Sequence, residues 1–135
     1  MKTVCIMSEG NTLGKKKFIT PEDLINEPMI HSRRDSAFYR KLEEVFTLHN
    51  VKINSWIETR QFNSACMLVA EGRGVSIVSE MDAREYESRG LIIKPFRPVI
   101  PHTLMLVRPK HTALSTIALE FLDFFESSLE PFRLK

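Results

Sequence analysis

Short apolar runs alternate with segments of helical period along the whole chain, and few folds accept that alternation. Residues 3–7, 28–31, 51–58, 75–78, 91–93 and 103–107 read as strands. The clearest helical pattern lies between the second and third of these. Phe38, Leu42, Val45 and Phe46 fall at i, i+4, i+7 and i+8, one apolar face. Asp35 or Ser36 can cap its start, and Asn50 can close it in a left-handed conformation. A second helix follows Asn63-Ser64 as cap, is apolar from Ala65 to Ala70, and stops at Gly72. Ser79, with Asp82 three residues on, starts a third that Gly90 ends. Thr20-Pro21-Glu22-Asp23 opens a shorter turn of helix. The last helix carries Ile117, Phe121, Leu122, Phe124, Phe125 and Leu129 on a wide apolar stripe. Strands alternating with helices build βαβ units, so the expected fold class is α/β, a mostly parallel sheet flanked by helices.

The chain's 135 residues suffice for one domain with one core. Two cysteines, Cys5 and Cys66, are no disulfide framework and fit a reducing cytoplasm. No four-ligand Cys/His spacing exists, so no metal and no cofactor are expected. The N-terminal residues lack the apolar core of an export signal, and no apolar run is long enough to span a bilayer. Net charge is +2, and the basic residues are scattered apart from Lys15-Lys16-Lys17. Nucleic-acid surfaces cluster their basic residues, so direct nucleic-acid binding is not expected.

One stretch imitates a nucleotide site. "MSEGNTLGKKKF", residues 7–18, follows a strand with Gly10, Gly14 and Lys15. A phosphate loop needs four residues between its glycines, a hydroxyl after its lysine, and a helix opening at once. Here three residues separate the glycines, Lys16 replaces the hydroxyl, and the next helix waits until Thr20. "EGRG", residues 71–74, fails in order, because it runs helix, glycines, strand. Gly72 reads as a helix terminator and Gly74 as a tight entry to the next strand.

Open parallel sheets bind ligands beyond the carboxyl ends of their strands. Three such ends lead into helix N-termini, whose free amides favour anions. Ser32, Arg33, Arg34, Asp35 and Ser36 follow the first; Glu58, Thr59, Arg60, Gln61, Phe62, Asn63 and Ser64 follow the second; Ser79 and Glu80 follow Val78 at the third. Arginines beside hydroxyl and amide side chains suit a carboxylate, and Asp35, Glu58 and Glu80 suit a cationic end of the same ligand. No catalytic set emerges. Cys66 lies in an apolar helix and reads as an inert core thiol. His31 ends a buried strand without a nucleophile beside it; His49 sits near a helix C-terminus; His102 and His111 read as exposed.

The order of segments is similar to one known family. Residues 19–46, 57–80 and 90–125 resemble, in sequence and spacing, the effector-binding domain of bacterial LysR-type transcriptional regulators. "LVAEGRGVSIVSE", residues 68–80, resembles that family's Leu-Val-Ala-x-Gly-x-Gly-Val-x-Ile-Val-Pro. "LVRPKHTALSTIALEFLDF" is similar to its closing strand and helix. "SEGNTLGKKKFITPEDL" lines up with its Pro-x-Gly-His-Pro-Leu-Ala stretch, with Asn11-Thr12 in place of His-Pro.

The resemblance implies two α/β subdomains around a cleft, as in type 2 periplasmic binding proteins. Residues 27–93 would be the complete second subdomain. Residues 1–26 and 94–135 would be a partial first one, with crossovers near 14–26 and 94–101. The implied effector-binding residues are Ser32, Arg33, Arg34, Asp35, Thr59, Arg60, Gln61, Phe62, Asn63, Ser64, Val78 and Ser79. The function implied is sensing of a small carboxylate or amino-acid-like effector in the cytoplasm, without catalysis. The wording of "VCIMSEG" and "RRDS" is similar to members that sense amino acids and opines. The family's DNA-binding helix-turn-helix and the opening units of its first subdomain have no counterpart here, so the chain reads as N-terminally truncated. An exposed core edge would favour self-association as a homo-oligomer. The alternative reading from the residues alone is a small cytoplasmic α/β enzyme acting on an anionic metabolite.

Overall fold

The computed structural model describes residues 1–134. Five strands, β1 (Thr3–Ser8), β2 (Met29–Ser32), β3 (Ser55–Thr59), β4 (Val75–Ser79) and β5 (Leu91–Pro95), form one open sheet in the order β3-β2-β4-β1-β5. β2 runs parallel to β3 and to β4. β1 runs antiparallel to β4 and β5. Four strands therefore share one direction and only β1 opposes them. The α/β class expected of the sequence is what is observed, in mixed form.

The alternation along each strand sorts two cores. Cys5, Met7, Met29, Val75 and Ile77 face one side, where they pack with Leu42 and Phe46 of α1 (Ala37–Leu48) and with Ile19, Leu24 and Phe96. Val4, Ile6, Ile30 and Val78 face the other, against Ala65, Cys66 and Val69 of α2 (Phe62–Ala70) and Ala83 of α3 (Glu80–Glu85). A sheet covered on both faces needs apolar residues at nearly every position, which is why its strands read as unbroken apolar runs. Ser36 caps α1, its side chain accepting from the Tyr39 amide, and Asn50 adopts φ 55° just past its end. Ser79 caps α3 through the Asp82 amide.

Three expectations are corrected. First, β1 and residues 9–26 do not belong to a unit apart from residues 27–93. β1 is hydrogen-bonded between β4 and β5, and Ile19 and Leu24 are fully buried in the α1-side core. Ile19 also bridges to Phe96, its amide donating to the Pro95 carbonyl. Local patterning shows that residues 3–7 form a strand but not which sheet accepts it. Second, the crossover expected near residues 14–26 stays in this layer. The segments that leave the sheet are the chain before β1 and the chain after residue 97. They run side by side: the His102 amide donates to the Met1 carbonyl, the N-terminal amine of Met1 donates to the His102 carbonyl, and the Thr3 hydroxyl donates to the Ile100 carbonyl. Third, residues 103–107 form no strand and are exposed, because no strand edge lies beside them among the described residues. The last helix, α4 (Thr116–Leu129), forms as expected, yet none of its residues is buried.

Candidate functional site

Strand direction decides which groups meet. Ser32 and Thr59 are register partners at the carboxyl ends of β2 and β3, and Thr3 faces Ser79 where β1 begins and β4 ends. One edge of the sheet thus carries the loop from β2 to α1, the loop from β3 to α2, and both crossover segments. Rings confirm the convergence. Phe38, in the first turn of α1, lies 5.1 Å from Phe62, which opens α2. His102 of the second crossover lies 5.9 Å from Phe38 and 5.4 Å from Phe62.

The two long helices that start at this edge differ in a way that matters for anions. A helix leaves its first amides without partners in the helix. In α1 the Ser36 hydroxyl takes one of them, and Ser32 Oγ lies 3.2 Å from that hydroxyl. In α2 the N-cap is Gln61, whose side chain makes no capping bond. The sequence points to Asn63 and Ser64 as caps. The helix instead begins at Phe62, so Asn63 and Ser64 stand in its first turn and cannot cap it. The amides of Phe62, Asn63 and Ser64 have no carbonyl four residues back inside the helix, and the positive end of the helix is left open.

The remaining candidates divide. Arg60, Gln61 and Ser64 are exposed at the rim and Thr59 is half-buried, its Oγ1 donating to the Gln61 carbonyl. Arg60 makes no ion pair among the described residues. Arg33 is held by Asp35 in an exposed pair, which lowers the Asp35 carboxyl and raises the Arg33 guanidinium. Arg34 turns elsewhere, its Nη2 donating to Ser55 Oγ at 3.2 Å with Glu58 at 4.0 Å. It lines a groove of about 990 Å³ beside α1 with Tyr39, Phe46 and Asn54. Arg34 is the sole candidate residue that lines this groove. The open edge with its unfilled amides is the better chemical site. Val78 and Ser79 are fully buried, and the Ser79 hydroxyl is engaged by Asp82. Glu80 pairs with Arg84 at 2.6 Å.

His31 is structural. It is 2% exposed, its Nδ1 lies 2.7 Å from the Ser32 carbonyl and its Nε2 2.7 Å from Ser55 Oγ, and its ring leans on Tyr39. His49 caps α1 and sits 2.6 Å from Glu22, whose carboxyl that hydrogen bond draws down to about 2. Burial pushes the Cys66 thiol up to about 12, in keeping with an inert core residue. The sequence reading missed His102 and Phe38. His102 is half-buried rather than exposed, and burial holds its imidazole below the ordinary value, opposed by Asp82 and assisted by the N-terminal amine and Lys41. No pattern within the residues around position 102 announces this, because its ring neighbours, Phe62 and Phe38, lie 40 and 64 positions away. Among the described residues no group of three or more His, Cys, Asp or Glu could hold a metal, and no helix is long and apolar enough to cross a membrane.

Comparison with known proteins agrees with this geometry. The model of the LysR substrate binding domain matches residues 1–130. The transcriptional activator protein LysR of Escherichia coli (strain K12) is 32% identical over 126 residues, which is 93% of this chain and 40% of that protein. The chain spans 40% of the length of the curated relatives it matches. In fold it is similar to the CcmR regulatory domain of Synechocystis PCC6803 in complex with 2-PG, with TM-score 0.66, 19% identity, and 96% of this chain and 63% of that one covered. It is equally similar to the effector binding domain of QuiR in complex with shikimate, with TM-score 0.66, 17% identity, and 98% and 63% covered.

Proposed function

The chain belongs to the LysR substrate binding domain family, and from that premise we propose that it senses a small anionic effector at the sheet edge described above. The observation that carries this reading is the open first turn of α2. Its unfilled amides, with Arg60, which makes no ion pair among the described residues, two positions before the helix, and with Ser32, Ser36, Thr59 and Ser64 on the loops and helix starts of the same sheet edge, suit a carboxylate. Asn63 adds an amide that can donate or accept. Arg33 and Asp35 stand at the rim, where their exchangeable pair can meet an amino-acid-like ligand at both ends. The fold neighbours described with 2-PG and shikimate agree with a small-molecule ligand for this domain type. In this reading the domain is the sensing arm of a transcriptional regulator, and contact with DNA belongs to other parts of such a protein.

Titration of the ¹⁵N-labelled chain with a panel of small carboxylates and amino acids tests the proposal. Amide shifts are expected within residues 32–36 and 59–64. Arg60→Ala is expected to weaken the response about tenfold, the scale of one charge-assisted bond. A panel that moves no amide in those two loops would overturn the reading.

A further inference from the structure

We infer that Phe38, Phe62 and His102 form an aromatic wall beside the α2 amides, and that the ligand joins its carboxylate to a ring or flat apolar group lying on that wall. The inference rests on the effector-binding reading above and narrows its ligand class.

The three rings come from three separate elements and meet at one place. Their planes cross at 83°, 82° and 65°, so all three pairs are edge-to-face and none is stacked. Edge-to-face pairs fix ring orientation as well as distance. Phe38 borders the α1-side core and Phe62 borders the α2-side core. The cluster therefore sits at the end of the sheet and borders both cores. All three residues are half-buried, so each keeps surface for another group to cover.

Position links the wall to the anion site. Phe62 supplies both a ring to the wall and the first backbone amide of α2. A carboxylate on that turn therefore places its next carbon atoms within a side-chain length of the rings. The wall carries no fixed charge at neutral pH, because burial keeps His102 in its neutral form. Asp82 acts on His102 in the opposite sense to Lys41 and the N-terminal amine, so these charges partly cancel. An uncharged aromatic surface next to open amides matches a carboxylate that bears a ring. It offers little to a short acid, whose charge is satisfied without touching it.

Benzoate and acetate separate these cases, since both present the same carboxylate. The labelled full chain is titrated with each, reading the Phe62, Asn63 and Ser64 amides and the ring signals of Phe38, Phe62 and His102. Benzoate is expected to bind at least about tenfold more tightly than acetate. His102→Ala and Phe38→Leu are expected to bring that ratio towards one by weakening benzoate binding. His102→Phe, which keeps a ring, is expected to retain the preference, and it carries the test if His102→Ala fails to fold. Equal affinities with shifts at the α2 amides would overturn the wall and leave the effector-binding reading standing. No shift at those amides with either acid would overturn both.

Discussion

Gly74 stands at φ +144°, a backbone region that L side chains rarely adopt, and a Cβ built on it would lie 2.3 Å from the Pro28 carbonyl oxygen. That carbonyl accepts the Val75 amide just where β2 and β4 begin to pair. Gly74→Ala therefore strains the backbone and pushes on a strand junction together. It is expected to destabilise the fold by at least ~2 kcal/mol, read as a lower urea midpoint at unchanged slope; a midpoint within error of the parent would contradict the account. This position was legible in the sequence, because a glycine between a helix terminator and an apolar run has few other reasons to be there. Gly72, at φ +74°, behaved the same way. His102 was illegible for the opposite reason. A histidine between two short apolar stretches carries no local mark of burial, and its environment is assembled from Phe38 and Phe62, which the chain brings in from far away.

Elements were read correctly where their own residues define them and misread at ends that depend on neighbours. The apolar face of α1 and a cap at Asp35 or Ser36 follow from spacing and chemistry inside one segment, and Ser36 is the one that caps. The start of α2 does not. Asn63 and Ser64 are better caps than Gln61 by intrinsic preference, yet the helix opens two residues earlier with its cap unfilled. A helix that forgoes a good cap leaves amides available, which is the basis of the proposed anion site. Gln61→Asp puts the trade to a direct test. The new carboxylate can take the first-turn amides and complement the helix dipole, so stability is expected to rise by about 1 kcal/mol in urea unfolding. The same carboxylate competes with, and repels, an incoming anion, so carboxylate affinity is expected to fall at least about tenfold. A stabilised variant that binds small carboxylates as well as the parent would mean that the α2 turn is not the anion site.

At the scale of the molecule, segment order and the α/β class were readable, while the membership of segments in layers was not. β1 carries the same apolar signal whether it lies in one sheet or another, and only hydrogen bonding to β4 and β5 places it. The same gap explains the chain beyond residue 102. Its apolar pattern is that of a core strand and a core helix, but the described residues supply no second layer for either. Val107 is 88% exposed, Ile117 79% and Phe124 73%, and α4 has no buried residue. Apolar surface of this extent drives association or dye binding in water. The chain is therefore expected to bind a hydrophobic fluorophore such as ANS and to show a hydrodynamic radius that grows with concentration. Phe121→Ser with Phe124→Ser is expected to reduce both. Because those two side chains pack into neither core, the double variant should leave the unfolding midpoint of the sheet within about 0.5 kcal/mol of the parent. A large loss of stability instead would mean that α4 is integral to the folded unit, and a parent that stays monomeric without binding the dye would mean that its apolar stripe is covered in solution.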